Sequence, residues 1–404
     1  MNACLARDQP SARTTGVHMA DARRTGRPAP RATNRTHLGR MTLSLVAKEP
    51  AVQPYERIQS VLDRRPTDRP PVDLWCTPEV LDSLRAYTGK SDELDVYQAL
   101  GVDKIVWVFP GYAGRKFDPN DSEGEVTPWG VPTRKMKAGL ATYEEYASHP
   151  FADFTDVREL DDYELWPDPD RFDYAEAIAL AKRARDYGFG VIGPWVSHFE
   201  VYCSLRGLEN SLMDTLADED FLEAALDRID AIQTRMIDRL LTEAGDLIDL
   251  VFISDDMAMQ QNLLVTPQTW QTHFRPRLAA WCDLVHSHGV KAFYHTDGAA
   301  YPLIGGLVDC GIDVLNPIQH ACPGMETDRL QAEFGDRIVF HGGIENQQIL
   351  PKGTPDDVAR ETRECLETLG KDGGYIVCSC HNAQAGTPVE NILAMINTTK
   401  EWQG

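Results

Sequence analysis

The stretch FYHTDG, residues 293–298, runs from apolar residues straight into histidine, aspartate and glycine. His295 and Asp297 are two positions apart, so in extended chain both side chains lie on one side. An imidazole and a carboxylate placed together can hold a divalent cation or move a proton. A second stretch, YIVCSCH at 375–381, ends in Cys378, Cys380 and His381. Other apolar runs also end in polar or aromatic residues: Trp75 and Cys76, His198 and Glu200 with Tyr202 beyond, Asp255 and Asp256, Asn316 and Gln319, His341 and Glu345. Side chains of these types converging from separate strands suit a borderline or hard divalent ion, and zinc accepts all of them.

The candidates divide by chemistry. Asp256, Glu200, Glu345 and His381 are candidate acid–base groups. Trp75, His198, Tyr202, Asn316, Gln319 and His341 are candidate substrate contacts. Each type has a plainer use. A strand-end histidine can be a hydrogen-bonded scaffold residue, a buried cysteine can be core filler, and His286 and His288 suit a helix end. Adjacent carboxylates cannot both face one pocket, so of Asp255 and Asp256 at most one is functional, and Asp256 is preferred.

Positioning these groups requires elements that end together. From residue 70 onward eight short runs recur, PVDLW, DKIVWVF, FGVIGPW, IDLVFIS, VKAFY, IDVLNP, RIVFHGG and GYIVCS, alternating with helical stretches. Continuous apolar runs are what strands buried on both faces require. Eight alternations predict an α/β fold, a TIM (β/α)8 barrel, with chemistry at the carboxyl ends of the strands. Thr266, Thr354 and Thr387, each followed by proline, read as helix starts, and Pro276 predicts a kink. EVTPWGVPTRK after the second run predicts a short β-hairpin insertion. No composition break divides the body, so residues 41–404 read as one domain. Residues 1–40 read as a disordered Arg-rich extension, an over-extended start before Met41.

The formal charge of −22 is uneven, because residues 1–40 carry eight Arg against Asp8 and Asp21, leaving −28 on the rest. Such a field repels nucleic acid and anionic lipid. No run reaches eighteen apolar residues, which argues against a membrane span. Nine scattered cysteines fit a reducing cytoplasm.

The motif order DDMAMQQNLLVTPQTWQTHFRPRL, FYHTDG, GIDVLNPIQ, FHGGIENQQIL and GGYIVCSCHNAQAGTPVENILAM resembles the uroporphyrinogen decarboxylase superfamily, with likeness extending over Tyr55 to Met395. The resemblance implies the same barrel and one of two activities. The decarboxylases carry an arginine pair after the first strand, where this chain reads DLWCTPEVLDSLR, and their aspartate near the second strand has no clear match; His381 does match, by its spacing to TPVEN. The zinc methyltransferases carry a His-x-Cys at the fifth strand and a cysteine near the eighth. By that resemblance His295 is the first ligand, Asp297 stands for the first cysteine, and His381 with Cys380 stands for the second. The resemblance therefore implies a metal-assisted methyltransferase using Zn2+, a small-molecule substrate and a corrinoid carried on a partner protein, and suggests a homodimer. The alternatives are a decarboxylase of a tetrapyrrole needing no cofactor, and a tetrapyrrole or corrinoid binder without catalysis.

Overall fold

A computed structural model describes residues 52–114 and 125–403. The Arg-rich segment 1–40 and the start at Met41 lie outside the described residues. Seven parallel strands form one curled sheet: β1 (Ile105–Trp107), β2 (Gly190–Val196), β3 (Leu250–Ser254), β4 (Lys291–His295), β5 (Val314–Asn316), β6 (Val339–Ile344) and β7 (Tyr375–Ser379). Their order in the sheet is their order in the chain, with helices in the connections, the arrangement that repeated right-handed crossovers produce.

The first apolar run relates to both edges of this sheet. Val72 bridges Val377 of β7 in parallel and Cys76 bridges Ala383, while the Asp103 N–H donates to the Val72 carbonyl at 2.7 Å just before β1. The α/β fold is consistent with a TIM-like barrel.

The apolar runs are continuous because alternate residues enter two different cores. Ile105, Leu250, Phe252, Phe293, Val314 and Ile376 pack with Trp75 inside the curl. Val106, Val251, Ile253, Tyr294, Leu315 and Phe340 pack outside with the helices. Ile58, Val61 and Leu62 of the helix Pro54–Leu62 join the inner group. That helix is tied to the strand starts, Gln59 Nε2 donating to Asp249 at 2.7 Å and Arg64 Nη1 to the Ile338 carbonyl at 2.9 Å. It fills the amino-terminal end of the curl and leaves the carboxyl end for chemistry.

Local grammar succeeded where a hydroxyl was free to cap. Thr266 and Thr354 accept from the N–H groups of Thr269 and Asp357 at 3.0 and 3.2 Å. Thr387 does not open the last helix, which runs Val389–Glu401 with Pro388 at the cap position; its hydroxyl instead donates to the Gln384 carbonyl at 2.7 Å. Before Pro276 the helix is interrupted by a π-helical segment, Trp270–Phe274, the local slack that a missing N–H and a crowding ring demand.

Between β1 and β2 in the chain, besides the short antiparallel pair Gly111–Tyr112 with Phe172–Asp173, Thr133–Ala138 pairs antiparallel with Ala141–Tyr146 as a hairpin. The hairpin lies beyond most of EVTPWGVPTRK, where only the Val126–Pro132 bridge forms. Pro128 and Pro132 bring no N–H to a ladder, and the turn falls at Gly139, whose φ of +62° suits glycine. No helix among the described residues is long and apolar enough to cross a membrane.

Candidate functional site

The alternation that sorts the core also sorts the polar strand ends. Leu250 and Phe252 point inward, so Ser254 and Asp256 follow them, while Asp255 shares the outward side of Val251 and Ile253. The hydrogen bonds agree. Asp255 accepts from Ser197 Oγ at 2.7 Å and from the Phe199 N–H at 2.6 Å, anchoring the helix Phe199–Arg206. Ser254 donates instead to Glu200. Phe293 points inward, so His295 and Asp297 do too.

At the carboxyl end, one ligand atom from each of His295, Asp297 and His381 lies within 4.8 Å of the others. His295 Nε2 is 3.8 Å from Asp256 Oδ1 and 3.9 Å from Asp297 Oδ1. His295 and Asp297 are 6% and 8% exposed, and Asp297 Oδ1 has no hydrogen-bond partner among the described residues. A buried carboxylate oxygen normally has one, so this is an energetic demand for a cation or donor. The loop after β4 reaches this geometry through Gly298, whose φ is +85° and whose missing side chain clears the Met259 carbonyl. Its N–H donates to Gln319 Oε1 at 2.6 Å, and the Asp297 N–H to Asp256 Oδ1 at 2.9 Å.

The acids disturb one another. Burial and then the Asp256 charge push Glu200 well above the usual carboxylate range. Burial and then the Asp297 charge raise Asp256, and burial raises Asp297 against the pull of His295. His381 Nδ1 accepts the Asn382 N–H at 2.8 Å, which puts the proton of its neutral ring on Nε2. Burial, followed by the nearby His295, lowers its pKa to about 4, so the ring is neutral at neutral pH.

Asn316 and His341 lie beneath this centre. Asn316 Oδ1 is 2.6 Å from His295 Nδ1, and Asn316 Nδ2 is 2.8 Å from His341 Nδ1. His341 Nε2 is 3.3 Å from Asp73, which pairs with Lys104 at 2.9 Å. Asp73, His341 and Cys378 form a second group of ligand types, but the lysine already supplies its positive charge. Aromatic rings line the interior alongside: Trp75 packs on His341 at 5.0 Å, and Trp107 on Phe252 at 4.3 Å, with Phe109 stacked on Trp107 and 49% exposed.

Other candidates land elsewhere. His198 stacks on Trp281 at 3.6 Å and bonds Asp230 at 2.9 Å, facing the helices. Tyr202 donates to Asp214 in the same outer layer. Glu345 accepts from the N–H groups of Gln347, Gln348 and Ile349 at 2.7, 2.6 and 2.8 Å, a cap for the short helix Ile349–Lys352. Trp129 packs on Trp166, away from the inner group. The Cys380 thiol lies 3.3 Å from the Ile318 carbonyl, and burial pushes it well above the usual thiol range. Such a thiol resists the deprotonation that ligation requires. Cys380→Ala is expected to change Co2+ affinity less than about twofold in a titration; a tenfold loss would place the thiolate among the ligands.

Sequence reading passed over Ser254, Asp73, Lys104, Trp107 and Phe109. A signal existed for two of them, since Asp73 is the single charge in PVDLW and Lys104 stands with Asp103 at the head of an otherwise apolar run, and such charges are seldom buried unless paired.

Comparison with known proteins agrees with this architecture. The chain is 23% identical over 233 residues to a methylated-thiol–coenzyme M methyltransferase of Methanosarcina mazei, a match covering 56% of this chain and 57% of that protein. Aligned with the solved structure of a methyltransferase from Methanosarcina mazei, it gives a TM-score of 0.62 at 19% identity, covering 86% of this chain and 98% of that one. That likeness carries the fold. The sequence model of uroporphyrinogen decarboxylase (URO-D) matches residues 135–402, a span that holds every inward-facing acid and imidazole of the centre. This chain belongs to the uroporphyrinogen decarboxylase family.

Proposed function

We propose that the protein is a metal-assisted methyltransferase, passing a methyl group from a small methylated compound or a corrinoid on a partner protein to an acceptor. The observation that carries this reading is the unpartnered, buried Asp297 oxygen beside His295 and His381. The donor set fits a divalent ion such as Zn2+: His295 and Asp297 would hold it together with a ring nitrogen of His381, and Asp256 is near enough to assist. When bound, such an ion supplies Lewis acidity that favours the anionic form of a thiol or hydroxyl near neutral pH.

The chain's own residues handle the proton and the substrate. The acceptor's S–H or O–H proton passes to Asp256, a carboxylate raised toward the working range by its surroundings. The acceptor atom then bonds the methyl carbon as the donor–methyl bond breaks. Glu200, held by Ser254 and still protonated where an ordinary carboxylate is not, can protonate the departing group. Trp107 and Phe109 offer an apolar wall. Among the described residues, the groups gathered about His295 are acids and neutral rings, which disfavour the polycarboxylate substrate of a porphyrinogen decarboxylase.

Metal titration and turnover test this reading together. One equivalent of Co2+ is expected to bind, with affinity reduced more than about tenfold in Asp297→Ala, and the metal-loaded enzyme is expected to demethylate methylcobalamin in the presence of a thiol. Full methyl transfer by metal-free protein, or release of carbon dioxide from a porphyrinogen, would overturn it.

A further inference from the structure

The orientation of the His295 ring is set far from its ligand atom. Asp73 Oδ1 accepts from three donors, Lys104 Nζ at 2.9 Å and the N–H groups of Leu74 and Ile105 at 2.7 and 3.2 Å. Its other oxygen accepts from Trp75 Nε1 at 2.8 Å and faces His341 Nε2 at 3.3 Å. A carboxylate can only accept, so His341 carries its proton on Nε2 and offers a lone pair at Nδ1. Asn316 Nδ2 donates to that lone pair at 2.8 Å and to the His341 carbonyl at 3.3 Å. Asn316 therefore turns Oδ1 toward His295, 2.6 Å away, where it receives the Nδ1 proton. The lone pair of His295 then emerges at Nε2, the atom facing Asp256 and Asp297. Asp73, His341 and Asn316 are all at most 1% exposed, so solvent offers no easy substitute for any step.

We propose that Asp73 is a remote positioning residue which, through His341 and Asn316, fixes the tautomer of His295 so that Nε2 is the free donor atom. The metal-binding consequence rests on the function proposed above; the tautomer itself does not. No net proton moves along the chain. Each ring nitrogen is simply assigned as donor or acceptor by its neighbour, and the assignment is relayed because every neutral imidazole has one of each. Purely steric packing of the same rings would leave both tautomers available.

The test exploits the direction of the relay. In Asp73→Asn, the remaining oxygen stays with the three donors, so the new NH2 replaces the carboxylate oxygen opposite His341, and the Trp75 Nε1–H loses its acceptor in the single and exchange variants alike. The NH2 donates to His341 Nε2, moves the ring proton to Nδ1, and works against the present orientation of Asn316. Co2+ affinity is expected to fall about 10- to 100-fold, the range seen when outer partners of metal ligands are removed. The exchange variant Asp73→Asn/Asn316→Asp keeps the formal charge. His341 Nδ1–H then donates to one oxygen of residue 316, whose other oxygen still accepts from His295 Nδ1–H. The inner half of the relay is reversed and its outer end preserved, so Co2+ affinity is expected to return to within about threefold of wild type.

A loss in the single variant without recovery in the exchange would reduce Asp73 to a structural part, and an unchanged single variant would remove the relay altogether. In metal-free protein, the ring 15N resonances of His295 report which nitrogen is protonated. Nδ1–H in wild type and in the exchange variant is expected, and Nε2–H in wild type would overturn the proposal. If wild type fails to bind Co2+ while these resonances follow the expected pattern, the proposed function fails and the relay stands. Should the single variant not fold, the His341 ring resonances of wild type provide the reading: Nε2–H supports the relay, and Nδ1–H contradicts it.

Discussion

His295→Ala is expected to weaken Co2+ binding by more than about 100-fold, beyond the loss of an outer partner, and to lower methyl transfer by roughly 10²–10⁴-fold. The ring brings Nε2 to 3.8 Å from Asp256 and 3.9 Å from Asp297, while its hydrogen bond to Asn316 is made through Nδ1. Its removal leaves Asn316 Oδ1 unpaired, which costs about 1–3 kcal/mol, against a typical stability of about 5–15 kcal/mol. The variant should therefore fold, and its circular dichroism and denaturation midpoint separate a lost site from a lost structure. The acids add a pH signature. Burial raises Asp297, and burial with the Asp297 charge raises Asp256, so protons compete with the ion at higher pH than for ordinary carboxylates. Wild-type affinity is expected to fall as pH drops from neutral toward mildly acidic values. A folded His295→Ala protein that binds Co2+ within about twofold of wild type would remove His295 from the centre.

Much of the placement was readable because strand periodicity is strict. Once Phe293 is inside the curl, His295 and Asp297 must follow, and the same counting separates Asp256 from Asp255. Periodicity stops where the strand stops. His198 begins a helix and Tyr202 lies within it, so their directions obey helical geometry and lead outward to Asp230 and Asp214. Cys380 follows the last residue of β7, and the turn there takes its thiol to Ile318. Glu345 is drawn away from the centre for a related reason: a carboxylate just before free helix N–H groups satisfies them first. The pairing of Asp73 with Lys104 spans two runs, and a single sequence gives charges without partners.

Lys104→Met carries the largest expected effect on stability. Asp73 and Lys104 are 1% and 4% exposed, and the ammonium bonds both the carboxylate and the Leu74 carbonyl at 2.9 Å. Burial alone would raise Asp73, yet Lys104 and His341 outweigh it and hold the carboxyl well below its usual range. Removing the cation leaves the burial term in command, and an uncompensated buried charge costs about 3–5 kcal/mol. The sign with pH follows. In wild type the depressed carboxyl contributes stability present above its unfolded pKa and lost as pH falls through the folded value. In the variant the folded pKa lies above the unfolded one, so the penalty grows as pH rises from acid to neutral. The urea midpoint of Lys104→Met should thus fall furthest below wild type at pH 7 and approach it toward pH 4. Lys104→Met/Asp73→Asn, which removes both charges, should recover part of the loss at pH 7. A single variant as stable as wild type at pH 7, or a deficit that does not shrink on acidification, would mean that the Asp73 charge is satisfied by its four other hydrogen-bond donors alone.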